Sequence, residues 1–187
     1  MQNPKLFMLM LGCRPAGRNT EQHDMFFAIG EQVKDLVPAI KAFWPEAKGN
    51  IHIDAWREVT QVNGYQVKVV PKTAIPEADG PDKLFFLNLG GYKPNEFDEF
   101  HYKMLAVAPD QAGAVKQAKQ TAFYKHTGFK GAASHIDDKF GVDVDEVYQV
   151  KDILTPEDKE RYSLMITPNA TEPEDDMHLG YFQLHKL

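Results

Sequence analysis

Imidazole and carboxylate groups recur in this sequence at a spacing of two residues. The pairs are Glu21-x-His23, His52-x-Asp54, Glu99-x-His101 and His135-x-Asp137. Residues i and i+2 of a β-strand point to the same face about 7 Å apart, so each pair would present a nitrogen and an oxygen donor side by side. Donors of these types suit zinc, iron or manganese.

A metal hypothesis uses the two H-x-D pairs. His52, Asp54, His135 and Asp137 would form a His2Asp2 site if the fold brings the pairs together, with a transition metal as the candidate cofactor. The structural alternative is that each histidine bonds its carboxylate and satisfies buried polar groups at a strand end. The sequence leaves both open.

A second candidate site would bind a small anion. Its candidates are Arg14, Arg18, Glu21, His23, Trp56 and Arg57. Guanidinium groups bind carboxylate or phosphate through paired hydrogen bonds, and Glu21 could orient His23 as a general base. Strand alternation predicts that Trp56 shares the face of His52 and lines the pocket. The alternative is a solvated loop beside a buried tryptophan.

The loop at residues 12–19 is similar to a phosphate-binding loop but departs from it at two positions. Arg18 stands where the lysine would reach the terminal phosphates, and Asn19 replaces the hydroxyl that would bind magnesium. A strand rather than a helix is expected to follow it. Nucleotide hydrolysis is therefore disfavoured.

The composition excludes several other classes. The 187 residues are 43% hydrophobic and carry a formal charge of −6 with a pI near 5.6. Basic residues form no stripe, which disfavours nucleic acid, and no apolar run reaches the 18 or so residues of a membrane helix. The single cysteine, Cys13, excludes an internal disulfide and fits a reducing compartment.

An internal repeat organises the chain. Residues 6–28 align without gaps with residues 84–106, with eight identities. Residues 52–68 align with residues 135–151 through HID and YQVK. The repeat also indicates that the apolar start LFMLMLGC is a buried strand rather than an export signal, because its counterpart LFFLNLGG lies in mid-chain. We therefore expect a cytoplasmic protein.

Each copy is predicted as strand-strand-helix-strand-strand. The first copy has strands near residues 6–11, 25–29, 52–60 and 65–70 and a helix near residues 31–43, in which Pro38 predicts a kink or break. Asn63-Gly64 favours a type I′ turn, for which the second copy has Glu146-Val147. Thr155-Pro156 predicts a further helix start, followed by two strands around an acidic loop.

The expected fold class is α+β, an internally duplicated, compact pseudo-twofold domain with a shared sheet or core. The predicted organisation is a first repeat at 1–70, a proline-rich linker at 71–83, a second repeat at 84–153 and C-terminal elements at 154–187 that complete the fold. Edge strands of such sheets often pair, so a homodimer is an open alternative.

Several stretches of the first copy resemble a small bacterial family, domain of unknown function 1543, whose domain occurs once or twice per chain. The stretches are GRNTEQHDMFFAIGE, KDLVPAIKAFWPEA, IHIDAWREV and GYQVKVV. The second copy shares only LFFLNLGG, EFH, HID and YQVK. The resemblance implies two copies here and no activity, cofactor or catalytic residue.

Two functions remain at this point. The favoured one is a non-catalytic module that binds a small anionic ligand or a protein partner. The alternative is a metal-dependent hydrolytic enzyme that uses the repeated histidines and carboxylates. The sequence leaves open whether the protein is an enzyme.

Overall fold

The chain folds into mixed α+β structure built mostly from antiparallel strands. The computed structural model describes residues 3–73, 80–92, 95–120, 142–169 and 173–187. Its strands are β1 (Lys5–Cys13), β2 (Gln22–Gly30), β3 (His52–Glu58), β4 (Gln61–Val62), β5 (Tyr65–Pro71), β6 (Lys83–Tyr92), β7 (Glu99–Ala108), β8 (Val142–Gln149), β9 (Tyr162–Pro168) and β10 (His178–Gln183). Its α-helices are α1 (Val37–Phe43), α2 (Gln111–Ala118), α3 (Val150–Ile153) and α4 (Pro156–Arg161).

The chain divides into two compact units. The first unit is Met1–Ala78 together with Ile153–Leu187, and the second unit is Asp79–Asp152. The described strands form three sheets, none of which includes strands of both units, so a shared sheet, one of the two predicted alternatives, is not found among them. Among the residues that the structure describes, no helix is long and apolar enough to cross a membrane.

The first unit contains a four-stranded antiparallel sheet in the order β10-β3-β1-β2. One of its two inner strands is β1, whose leucines are buried on both faces, whereas Met8 and Met10 are partly buried. One face carries Phe7, Leu9 and Leu11, which pack with Ile40 of α1. The predicted first and second strands are confirmed: β1 begins one residue earlier and ends two residues later than predicted, and β2 begins three residues earlier and ends one later.

Pro38 accounts for the form of the helical segment. A short 3-10 helix, Val33–Leu36, leads directly into α1, and Pro38 lies in the first turn of α1. A proline there has no hydrogen-bonding partner to lose, because the first amides of a helix have none within it. The predicted break is therefore the junction between two helix types.

The second sheet of the first unit has the order β4-β5-β9. Its tight turn lies at Asn63 and Gly64, with φ of 51° and 79°, as the type I′ prediction requires. The predicted helix at Thr155 is also present as α4, and the Thr155 side chain accepts a hydrogen bond from the Asp158 amide. Asp158 is itself buried and accepts a hydrogen bond from the amide of Ile29 at 3.1 Å.

The second unit contains a three-stranded sheet in the order β7-β6-β8, with α2 packed against it. Apolar residues of β6 and β7 pack with Ala114 and Ala118 of α2. Asp110 caps α2 by accepting a hydrogen bond from the amide of Gly113 at 2.8 Å. The predicted turn at Glu146-Val147 is wrong, because β8 runs through both residues.

Candidate functional site

The strand register of the first unit places two histidines around a glycine. Gly12 of β1 pairs with His23 of β2 on one side and with His52 of β3 on the other. Directly paired residues of neighbouring strands point to the same face, so both imidazoles rise on the face above Gly12. A Cβ atom on Gly12 would lie 2.3 Å from Nε2 of His52. The missing side chain is therefore what makes room for the ring.

A β-bulge brings Asp54 into the same space. Leu11 pairs with Ile53 and Met10 pairs with Ala55, so Asp54 is an extra residue in β3. Bulges of this kind redirect side chains, and Oδ2 of Asp54 lies 2.4 Å from the position of a Cβ atom on Gly12. Glu21, just before β2, completes the cluster.

The polar atoms of this cluster converge closely. Nε2 of His52 lies 3.1 Å from Oδ1 of Asp54 and 3.2 Å from Oε1 of Glu21. Nε2 of His23 lies 3.2 Å from Oδ2 of Asp54 and 3.8 Å from Oε2 of Glu21. We call Glu21, His23, His52 and Asp54 the first cluster. The candidate residues that the sequence indicated as separate pairs therefore lie together.

Burial within the first cluster is graded. The side chain of His52 is 7% exposed and that of Asp54 is 21% exposed, whereas those of His23 and Glu21 are 43% and 45% exposed. The ring of His52 also packs on Tyr181, with centroids 4.2 Å apart. One side of the cluster is therefore fixed in the protein and the other is open to solvent.

Two buried atoms of the first cluster lack hydrogen bonds. Among the described residues, Nε2 of His52 and Oδ2 of Asp54 are buried and make none, despite their short distances to other polar atoms. Buried polar atoms in native proteins almost always have a partner. The four short distances join the two histidines to different oxygens of each carboxylate, Oδ1 and Oδ2 of Asp54 and Oε1 and Oε2 of Glu21. Imidazole nitrogens and carboxylate oxygens are the donor types of transition-metal sites.

Cys13 lies beside this cluster in the chain but belongs to the hydrophobic core. Its side chain packs with Leu11 and is 1% exposed. Burial raises the pKa of the Cys13 thiol, and the negative charge of Glu21 raises it further. The thiol is therefore protonated at neutral pH and weakly nucleophilic.

The bulge also overturns the predicted position of Trp56. Because Asp54 is an extra residue, alternation along β3 inverts, and Trp56 pairs with Leu9 on the core face. Its ring stacks on His178 with centroids 3.9 Å apart and lies against Phe7 at 6.2 Å. Trp56 therefore does not line the face that carries His52. Arg57 is buried, with 9% exposure.

Arg14 and Arg18 lie on the loop between β1 and β2, and both are exposed. The loop turns through a hydrogen bond from the Arg18 amide to the Pro15 carbonyl. Neither guanidinium forms an ion pair within the described part of the chain. Their role in binding an anion stays a prediction.

The second unit carries a related cluster. Gly90 of β6 pairs with His101 of β7, and a Cβ atom on Gly90 would lie 2.3 Å from Oδ2 of Asp145 in β8. Nε2 of His101 lies 3.4 Å from Oδ2 of Asp145 and 3.9 Å from Oε2 of Glu99. One donor atom from each of Glu99, His101 and Asp145, which we call the second cluster, lies within 4.8 Å of the others.

The register shows why sequence reasoning missed Asp145. A register shift between Asn88 and Leu89 leaves Asp145 as the extra residue of β8, as Asp54 is in β3. The strand that lies beside β6 therefore carries D-x-D at residues 143–145, whereas the alignment through HID pointed to His135 and Asp137. Those two residues lie outside the described part of the chain. The alternating VDVDE pattern was the available signal.

Comparisons with known proteins give a family and a fold. The family described as Domain of Unknown Function (DUF1543) matches residues 18–69, which confirms the predicted resemblance over that range. No curated protein matches the chain. The crystal structure of a protein Il1583 from Idiomarina loihiensis is similar, with a TM-score of 0.62 and 18% identity over 97% of this chain and 98% of that one. At this identity the similarity shows the fold alone.

Proposed function

We propose that the protein binds a divalent transition-metal ion at the first cluster. The two residues of this cluster that lie on β3, and the two on or beside β2, fall within residues 18–69, which match a domain family of unknown function. The observation that carries the proposal is the convergence of His23, His52, Glu21 and Asp54 above Gly12. The buried Nε2 of His52 makes no hydrogen bond, which supports the proposal, since a metal ion would accept its lone pair.

The donor set favours zinc or a neighbouring first-row metal. Two imidazole nitrogens and two carboxylate oxygens suit Zn²⁺, Fe²⁺ and Mn²⁺, and affinity rises along the series toward copper. His52 and Asp54 would be the anchored ligands because they are the more buried pair. Glu21 and His23 would close the site from the solvent side.

The solvent-exposed side of the cluster supports hydrolytic chemistry as the associated activity. A divalent ion lowers the pKa of bound water toward 7 and polarises a carbonyl or phosphoryl oxygen. The half-exposed Glu21 and His23 leave room for water or a substrate to approach from outside. This activity is a proposal about the reaction class and assigns no substrate.

The direct test is metal content after dialysis against a weak chelator. The full-length protein is expected to retain one equivalent of Zn²⁺ more than His52→Ala, measured by elemental analysis and native mass spectrometry. His23→Ala offers a second test at a half-exposed position, where loss of the fold is not expected. His185→Ala removes an exposed histidine and serves as the matched control.

Retention of the same zinc content by His52→Ala and His23→Ala, with affinity unchanged, would overturn the proposal. An affinity loss of tenfold or more in both variants, with His185→Ala unaffected, would support it.

Anion binding by Arg14 and Arg18 is a second candidate. Both side chains are exposed on the loop that ends at Glu21, so an anion held by the guanidinium groups would lie near the first cluster along the chain. Replacing both arginines with alanine should abolish phosphate binding, followed by calorimetry, and leave the zinc content unchanged. Undiminished phosphate binding by the double variant would rule this site out.

The proposal also covers the internal duplication, the cellular location and the oligomeric state of the protein. Gly12 and Gly90, and likewise His23 and His101, occupy the same register positions in their sheets, which supports a duplication. The single free thiol of Cys13 supports a cytoplasmic location. A homodimer remains the proposed oligomeric alternative, to be measured by the same native mass spectrometry.

A further inference from the structure

We infer that the second unit carries its own metal site at Glu99, His101 and Asp145, and that this site takes a harder, more oxygen-seeking cation than the first cluster. The inference goes beyond the proposed function and depends on different residues. The chain would then carry two metal sites that differ in their ligands and in the ions that they prefer.

The geometry of the second cluster provides the first step. Three donor atoms lie within 4.8 Å of one another and come from β7 and β8 on either side of β6. Asp145 stands over Gly90, where a Cβ atom would lie 2.3 Å from one carboxylate oxygen and 2.9 Å from the other. A side chain at residue 90 would therefore displace the carboxylate of Asp145. The carboxylate can occupy this position only because residue 90 is a glycine.

The backbone provides the second step. The bulge that turns Asp54 toward the first cluster recurs at Asp145, and in each sheet a histidine pairs with the glycine below it. Bulges re-aim side chains at a cost to the strand ladder, so their presence beside both glycines indicates a common requirement. That requirement is a carboxylate held against an imidazole.

The donor set provides the third step. The register position of His52, opposite the glycine, is held by Asp143 in the second unit. The second cluster therefore offers one imidazole nitrogen and otherwise carboxylate oxygens, whereas the first offers two nitrogens. Carboxylate and water ligands suit Mn²⁺ and Mg²⁺, and the loss of one imidazole reduces the advantage that zinc has at the first cluster.

Exposure provides the last step. The side chains of His101, Glu99 and Asp145 are 33%, 42% and 26% exposed, so the second cluster opens to solvent at each ligand. Mn²⁺ and Mg²⁺ keep several bound waters and are often held by only one or two carboxylates. An open site with few protein ligands suits such an ion and leaves positions for an oxygen-containing ligand.

The test isolates the second cluster by using the full-length protein with both His23→Ala and His52→Ala, in which the first cluster has lost both of its imidazoles. Metal-free protein is titrated with Mn²⁺, and pulsed electron paramagnetic resonance counts the nitrogens coupled to the bound ion. We expect about one bound Mn²⁺ with a single coupled imidazole nitrogen. Adding His101→Ala should remove that coupling and weaken Mn²⁺ binding at least tenfold.

Asp145→Asn, in the same background, preserves size and removes the charge of the bulge residue, and it should weaken binding by a similar factor. Glu160→Gln, at an exposed carboxylate of α4, is the matched control and should change nothing. Mn²⁺ binding that is unaffected by His101→Ala and Asp145→Asn would overturn the inference, as would the absence of nitrogen coupling. Zinc loss in His52→Ala would still stand in that case, so failure here and failure of the proposed function are distinguishable.

Discussion

Gly12 contributes no ligand, yet the geometry of the first cluster depends on it. Its paired neighbours His23 and His52 share its face, and the space that a side chain would take is filled by an imidazole nitrogen and a carboxylate oxygen. The cluster therefore requires that residue 12 of β1 has no side chain.

Gly12→Ala should consequently disrupt metal binding while leaving most of the fold intact. The new Cβ atom would meet Nε2 of His52 at 2.3 Å and Oδ2 of Asp54 at 2.4 Å, so both side chains must move. We expect at least a tenfold loss of zinc affinity by competition titration and a stability loss of about 1–3 kcal/mol in the metal-free protein by denaturant unfolding.

Gly80→Ala is the matched control for this substitution. Among the described residues, a Cβ atom at Gly80 would meet nothing within 4 Å, and its backbone has no positive φ that would strain an alanine. Zinc affinity of Gly12→Ala equal to that of Gly80→Ala would show that the cluster above β1 does not bind the metal.

At the element scale, the features that sequence predicts well are those that local residues determine. The type I′ turn at Asn63-Gly64 needs two positive φ angles, and few residue pairs adopt them at low cost. The start of α4 depends on Thr155 and Pro156, which act within one helical turn. Such features can be read without knowledge of the rest of the fold.

Bulges are less visible, and they account for the main error about the site. An extra residue in a strand leaves the alternating pattern intact on either side and only shifts its phase, so nothing in HIDAWRE indicates that Asp54 is unpaired. The shift turned Trp56 toward Leu9 and removed it from the predicted pocket. The pairing of Glu21 with His23 and of His52 with Asp54 was predictable, whereas their meeting above Gly12 required the register of three strands.

Long-range pairing explains why sequence reasoning missed Asp145. The shared YQVK suggested an alignment of His135 with His52, but YQVK forms part of β5 in the first unit, whereas Tyr148 and Gln149 end β8 in the second. Which strand pairs with β6 depends on burial of an apolar face in the folded sheet, and a short sequence match does not reveal it. Because β8 is that strand, Asp145 lies beside β6.

At the scale of the whole molecule, each of the two units contains a sheet with a group of buried apolar residues packed against a helix. The first unit packs the odd-numbered residues of β1 with α1, and the second packs β6 and β7 with α2. A ligand that binds only the folded state of a unit stabilises that unit against opening by an amount that grows with its concentration. Zinc at the first cluster should therefore have an effect that can be located along the chain.

Hydrogen exchange followed by mass spectrometry should locate this effect in the first unit. Zinc at 100 times its dissociation constant should stabilise the bound state by about 2.7 kcal/mol, which slows exchange about 100-fold at amides that open only when the unit unfolds. We expect this slowing in peptides from β1, β2 and β3 and none in those from β6, β7 and β8. At the same zinc concentration, His23→Ala, with at least tenfold weaker affinity, should show at most about tenfold slowing in these peptides. Equal slowing in the peptides of both units would show instead that they open as one cooperative body, and that the division into two compact units does not extend to their stability.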